Sequence, residues 1–211
     1  MDNEGKNDNG LSDILTDLWD NTIIPLYKKG KIQTERHLQS YLFMLLKNRL
    51  AEKVLEEWDV WVEPQFYLKD DSKKPDGEKM YKPDLVVTKD DKIIGIIEMK
   101  FTPQEGKWEN NCEAAYRDLQ KLALYSQGRS KFPKENTGYE FLLELNPKSG
   151  AYDTSDRITK YKLDPKKTKY FYLGIAWFSE FDLEEVLLKK AKERELKGEF
   201  MSFVHRTQRE N

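Results

Sequence analysis

One cysteine, Cys112, stands among 211 residues. That excludes an internal disulfide, and the absence of a cysteine cluster excludes an iron-sulfur centre. Cys112 falls at a helical core position, which suits a reducing compartment. No apolar run approaches the ~20 residues needed to span a bilayer. The N-terminus lacks the basic-then-apolar pattern of a secretory signal, so a cytoplasmic protein with no membrane contact is expected. Internal repeats are absent. Positive charge is not in excess either: 36 Lys and Arg face 38 Asp and Glu, for a net charge of −2 and a pI near 5.9. Such a balance is not the footprint of a protein that blankets DNA with positive charge, so any nucleic-acid contact must come from local patches.

What is present is aromatic and charged. Ten Phe, eleven Tyr and five Trp supply large apolar area, much of it in strand-like runs such as residues 139–145 and 170–178. The length fits one domain, expected over 11–211, behind a polar, disordered tail at 1–10. A helix is expected from Ser12 to about Tyr27, meeting Pro25. A longer one runs from a Thr34 cap to about Trp58, with Leu38, Leu42 and Leu45 in a stripe and Tyr41 and Leu46 alongside. Val60 to Leu68, interrupted by Pro64, reads as an edge strand. A third helix is expected over 109–126, with Cys112, Ala115, Leu119, Leu122 and Ser126 on one side. Strands over 138–145 and 169–178, a polar loop between them, and a final helix opened by Ser179 complete the order. These elements imply an α/β fold, a three-layer sandwich with a central mixed β-sheet flanked by helices.

The informative stretch is Ile93-Ile94-Gly95-Ile96-Ile97, a strand apolar on both faces that runs straight into Glu98, Met99 and Lys100. Burying an unpaired carboxylate or ammonium costs several kcal/mol, so a strand end carrying both needs partners, a metal or a role. Upstream, Pro83-Asp84 opens a second β-rich run, Leu85 to Thr88, and Lys89 to Lys92 reads as the turn of a hairpin. Strand alternation puts Ile94, Ile96, Glu98 and Lys100 on one face, with Ile93, Gly95, Ile97 and Met99 on the other. Asp84 joins Glu98 only if the pairing is symmetric about Asp91, which requires a connection of three or five residues, or a bulge. A two-residue turn on Asp90-Asp91 would put the two acids on opposite faces.

Asp84 after its proline, followed by Glu98-Met99-Lys100 on the next strand, resembles the signature of the PD-(D/E)xK nuclease superfamily. The resemblance covers roughly residues 33 to 126. It implies a restriction-endonuclease-like fold and metal-assisted hydrolysis of a phosphodiester. Asp84, Glu98 and the backbone carbonyl of Met99 would hold Mg²⁺ or Mn²⁺, with Glu35 on the first helix joining directly or through water. Lys100 would orient the attacking water and stabilise charge, giving a catalytic set of Glu35, Asp84, Glu98 and Lys100. An acid at position 35 is also what a helix N-terminus favours. The helix after the signature often lends such sites a polar group, for which Asp118, Gln120, Lys121 and Tyr125 are candidates, although an Asp118/Lys121 pair at i, i+3 also suits a solvated face. Gln120 and Tyr125 are not spaced as the Gln-x₃-Tyr element of some families in the superfamily. Lys82, with Lys73, Lys74 and Lys79, precedes the signature, and Lys166, Lys167 and Lys169 precede the later strand. These lysines, with the interleaved Tyr81 and Tyr170, are candidate nucleic-acid contacts, although such runs are commonly solvated loops. The expected partner is DNA, with RNA left open, and a second copy or a partner protein is expected where both strands are cut. The alternative is a non-catalytic nucleic-acid- or protein-binding module on the same fold.

Overall fold

A computed structural model describes residues 9–52, 58–68, 82–90, 92–103, 108–127, 141–144, 162–176, 183–194 and 196–207. Helix α1 (Asn9–Leu18) passes through a π-helical turn, Trp19–Ile23, into α2 (Ile24–Lys28). Pro25 has no N–H to continue an i to i−4 ladder, and just before it the Ile24 N–H returns five residues, to the Trp19 carbonyl. Asn9 and Gly10, assigned to the tail on sequence grounds, are helical, and the rest of that segment lies outside the described residues. Helix α3 (Glu35–Glu52) starts where the sequence places it, with the Thr34 hydroxyl accepting the His37 N–H at 3.1 Å. Leu38, Leu42, Leu46 and Leu50 form its buried stripe. It ends earlier than expected, because Trp58 opens strand β1 (Trp58–Val62).

Strands β3 (Leu85–Lys89), β4 (Lys92–Thr102), β7 (Lys169–Ala176) and β8 (Phe200–Arg206) join β1 in one mixed sheet, in the order β1-β3-β4-β7-β8. The β1/β3 and β3/β4 pairs are antiparallel, whereas β4/β7 and β7/β8 are parallel. Parallel neighbours need crossovers, and helices α4 (Trp108–Gln127) and α5 (Leu183–Glu193) lie in the two connections. The two-residue β6 (Lys162–Leu163) pairs with the start of β4. Beyond the break at Glu63-Pro64, β2 (Gln65–Leu68) leaves the main sheet and pairs with β5 (Phe141–Glu144). The expected single edge strand over 60–68 is therefore two strands in two sheets. β6 and β8 were not expected at all.

Helices cover both faces of the main sheet. α1 and α3 pack on the face carrying Leu85, Val87, Ile97, Met99, Phe171 and Leu173. α4 and α5 pack on the face carrying Val86, Ile96, Tyr170 and Tyr172. Every residue of β7 is buried, as expected of a central parallel strand with both faces covered.

The hairpin contains both features that had been set against each other. Lys89 pairs with Lys92, leaving a two-residue connection, yet Leu85 pairs with Ile97. A bulge reconciles them: Thr88 faces Ile93 but Val87 faces Gly95, so Ile94 is surplus. Ile93 consequently lies with Ile96 on the α4 face and Ile94 with Ile97 on the α1/α3 face, which corrects the simple alternation for those two residues. From Gly95 onward the parity is the one that sets Asp84 opposite Glu98.

The Thr34 cap fixes the start of α3 and hence the position of Glu35. Thr34→Ala should cost about 1 kcal/mol in urea denaturation, while Thr34→Ser retains most of the stability. Equal midpoints for all three chains would contradict the cap.

Candidate functional site

β3 stops pairing at Leu85, but β4 runs on to Thr102, so beyond Ile97 one edge of β4 has no strand partner among the described residues. N–H groups two residues apart point to the same edge, and those of Met99 and Phe101 need acceptors there. Two carboxylates provide them: Asp84 Oδ2 takes the Met99 N–H at 2.6 Å, and Glu35 Oε2 takes the Phe101 N–H at 3.2 Å. The backbone of Asp84 is itself fixed, its carbonyl accepting the Glu63 N–H and the Gln39 side-chain amide, each at 3.0 Å. The open edge thus gathers acids from the start of β3 and the first turn of α3. Since N–H and C=O of one strand residue share an edge, the Met99 carbonyl lies on it as well.

On the α4 face, Glu98 and Lys100 meet Asp118 and Lys121. Lys121 Nζ reaches Asp118 Oδ1 at 2.7 Å and Glu98 Oε2 at 3.2 Å. Lys100 Nζ reaches Glu35 Oε2 at 3.1 Å and Asp118 Oδ2 at 3.5 Å. The result is a chain of alternating charge, Glu98, Lys121, Asp118, Lys100 and Glu35, with Asp84 beside it. With every group ionised, four carboxylates would face two ammonium groups, a local excess of two negative charges.

Burial makes that excess costly. It raises Asp84 to about 6, against the lowering effect of the Met99 N–H, with the Glu35 and Asp118 carboxylates pushing further upward. Burial, then the Asp84 charge, holds Glu98 well above the ordinary carboxylate range. For Lys100, burial works against the charged form, but the Asp118 and Glu35 carboxylates outweigh it and raise the pKa. Glu98 Oε1 has no hydrogen-bond partner among the described residues, although the side chain is only 1% exposed.

Tyr172 is a site residue that the sequence reading did not single out. It pairs in register with Glu98, is fully buried, and its hydroxyl has no hydrogen-bond partner among the described residues. Burial, followed by the Asp118 and Glu35 charges, pushes it well above the usual tyrosine range. Gly174, opposite Lys100, makes the room: a Cβ there would stand 3.1 Å from the Tyr172 ring. Tyr172 reads as one more buried aromatic until the β4/β7 register places it beside Glu98.

The other expected residues scatter. Asp118 and Lys121 reach the site, Gln120 is exposed, and Tyr125 is buried in the core beneath α4. Lys82 is half-buried just before Pro83. His37 serves the start of α3, its ring nitrogen accepting the Gln33 N–H at 3.4 Å. Lys73, Lys74, Lys79 and Tyr81 lie outside the described residues. Tyr170 is a core side chain, and Lys169 is buried against Ser12 and Glu199. Lys166 and Lys167 are exposed but sit level with Ile93, five residues down β4 from Glu98, or about 17 Å at 3.3 Å per residue.

Among the described residues, no group of three or more His, Cys, Asp or Glu side chains is arranged as a metal-binding cluster. Glu35 and Asp118 both serve Lys100, whereas Asp84 has no ion pair among the described residues and Glu98, though held by Lys121 through Oε2, keeps Oε1 without a partner, which leaves Asp84 and Glu98 as the acid pair. None of the described helices is long and apolar enough to cross a membrane. No family model, curated protein or solved structure matches the chain.

Because the folded chain holds the Asp84 and Glu98 protons more tightly than the unfolded chain, their contribution to stability is full below the unfolded carboxylate range of about 4. It is lost as pH rises through about 6 and beyond. Urea denaturation of metal-free protein at increasing pH should show this decline, and Glu98→Gln should flatten it. Parallel curves for the two proteins would count against Glu98 as a proton holder.

Proposed function

We propose that the chain is a metal-dependent nuclease of restriction-endonuclease-like architecture, hydrolysing phosphodiester bonds in DNA. The observation that carries the reading is the register of the bulged hairpin, whose last pair, Leu85 with Ile97, sets Asp84 opposite Glu98, with Lys100 following on the same face. The local charge supports it too: two surplus carboxylates and an unpartnered, buried Glu98 oxygen form a donor set suited to one hard divalent cation.

Asp84, Glu98 and the Met99 carbonyl would hold Mg²⁺ or Mn²⁺, with Glu35 joining directly or through water. Such a cation supplies Lewis acidity at the scissile phosphate and acidifies water. Lys100, kept protonated by Asp118 and Glu35, donates to the phosphate oxygens and opposes the charge that develops there. Lys121 holds Glu98 against Asp118 and so fixes the carboxylate rotamer. Glu35 ties Lys100 to the β4 edge, which limits the motion of the ammonium group.

A second reading draws on the same hydrogen bonds. Asp84 and Glu35 both serve as acceptors for the open sheet edge, so the cluster would also suit a binding module in which charge braces the sheet. Catalysis separates the two readings. Purified protein incubated with Mg²⁺ or Mn²⁺ on linear, circular, single-stranded and branched substrates should cleave at least one of them. Lys100→Met and Asp84→Asn should each lower the rate by about 10²–10³-fold or more, with circular dichroism unchanged. Undiminished cleavage by the variants refutes the assignment.

Metal uptake gives an independent readout. Mg²⁺ at a hundred times its dissociation constant should stabilise the wild-type chain by about 2.7 kcal/mol and the Asp84→Asn chain by much less. Equal thermal shifts would place the ion elsewhere.

A further inference from the structure

On the α1/α3 side of the sheet, the ends of β4, β8 and α2 enclose an open groove of about 840 Å³. Three rings lie along it. Tyr27 meets Phe101 edge-on with centroids 5.9 Å apart, and His205 at 5.6 Å. Lys28, Gln33 and Arg206 are among the polar residues that line it. The groove lies on the α1/α3 face, across β4 from Glu98 and Lys100, and meets the cluster at Glu35, which accepts the Phe101 N–H and also grips Lys100; Gln33 stands two residues before Glu35.

A tight turn through Gly30, itself in the groove lining, brings further charge alongside. α2 gives way after Lys28 to a turn at Gly30, whose backbone takes the left-handed conformation (φ 69°). The Gly30 and Lys31 N–H groups return to the Tyr27 and Leu26 carbonyls at 2.8 and 3.0 Å. Lys28, Lys29 and Lys31 are all exposed, and none has an ion-pair partner among the described residues. Lys47, Arg49, Lys100, Lys121 and Lys190, by contrast, are each matched by an acid. Cations are favoured at a helix C-terminus, which accounts for the lysines but not for the rings beside them. Burial and the Lys28 charge hold His205 below its ordinary value, so at neutral pH it adds a ring face and no charge.

We infer that this groove binds an unpaired stretch of nucleic acid, with a base against Tyr27, Phe101 and His205 and the adjoining phosphates on Lys28 and Lys31, and leads that strand to the carboxylate site. An aromatic floor inside a groove accepts only a base that has left its stack, which selects a single strand over a duplex. Ring faces with flanking cations are the general means of holding such strands. The inference rests on the nuclease reading for what becomes of the strand; the binding stands on the groove.

The test is fluorescence anisotropy of labelled oligo-dT, oligo-rU and a duplex of equal length, with the full chain in EDTA, over about 50–200 mM salt. Wild-type protein should prefer a single strand. The K28Q/K31Q double variant should bind it more weakly, with the log-log salt slope shallower by about 1.4, from two phosphate contacts at about 0.7 each. Tyr27→Leu should weaken binding about ten-fold and leave the slope unchanged. The exposed lysine pair carries the test even if the Tyr27 variant loses its fold. Duplex preference, or a lysine variant that binds as wild type does, overturns the groove. If the wild-type chain cleaves while the lysine variant binds and cleaves identically, the groove fails and the nuclease reading survives. Strand binding that depends on Lys28 and Lys31 in a chain that never cleaves has the opposite meaning.

Discussion

A sheet edge that loses its partner must find hydrogen-bond acceptors elsewhere, and in this chain that need organises the candidate site. β4 outruns β3 by five residues, from Glu98 to Thr102. The freed N–H groups of Met99 and Phe101 draw in Asp84 and Glu35, which sit far apart in sequence. Charge-assisted bonds of this kind are stronger than neutral ones. They also hold the acids close to Glu98 and Lys100, so one device satisfies the backbone and concentrates carboxylates.

Concentration has an electrostatic consequence. Four acids and two lysines crowd the end of β4, with Glu98 and Asp118 buried and Glu35 and Lys121 partly exposed, and alternating ion pairs relieve only part of the repulsion. The rest falls on Asp84 and Glu98, which retain protons beyond their ordinary range. A cluster built only to brace a sheet has little reason to bury more acid than base, since breaking even or replacing the ions with apolar residues would cost less. The imbalance is what a divalent cation would relieve, and it favours the catalytic proposal over the bracing one.

Overall acidity and a role on nucleic acid are compatible once charge is viewed by place. Of the basic residues that stood out in the sequence and are described, Lys169 is paired and buried, Lys82 is half-buried, and Lys166 and Lys167 lie about 17 Å along the sheet from Glu98. Lys28, Lys29 and Lys31 attracted no notice in the sequence. The glycine turn after α2 gathers them around Gly30, which with Lys28 lines an aromatic groove that meets the cluster at Glu35.

Much was legible from residue order. The stripe in α3, its Thr34 cap, the hairpin and the identities of Asp84, Glu98 and Lys100 all follow from local periodicity and from the cost of burying charge. Local rules could not find β8, whose Phe200, Met201, Phe203 and Val204 show no clean alternation because the strand pairs in parallel with β7 at the sheet edge. Nor could they send β2 to a separate sheet. The relative face of Asp84 and Glu98 was left as a parity question, and its answer was a surplus Ile94, a defect that no residue type announces. Tyr172, Asp118 and Lys121 join the site through strand register and helix packing. Contacts between residues 20 or more positions apart depend on how layers stack, which composition and spacing do not encode.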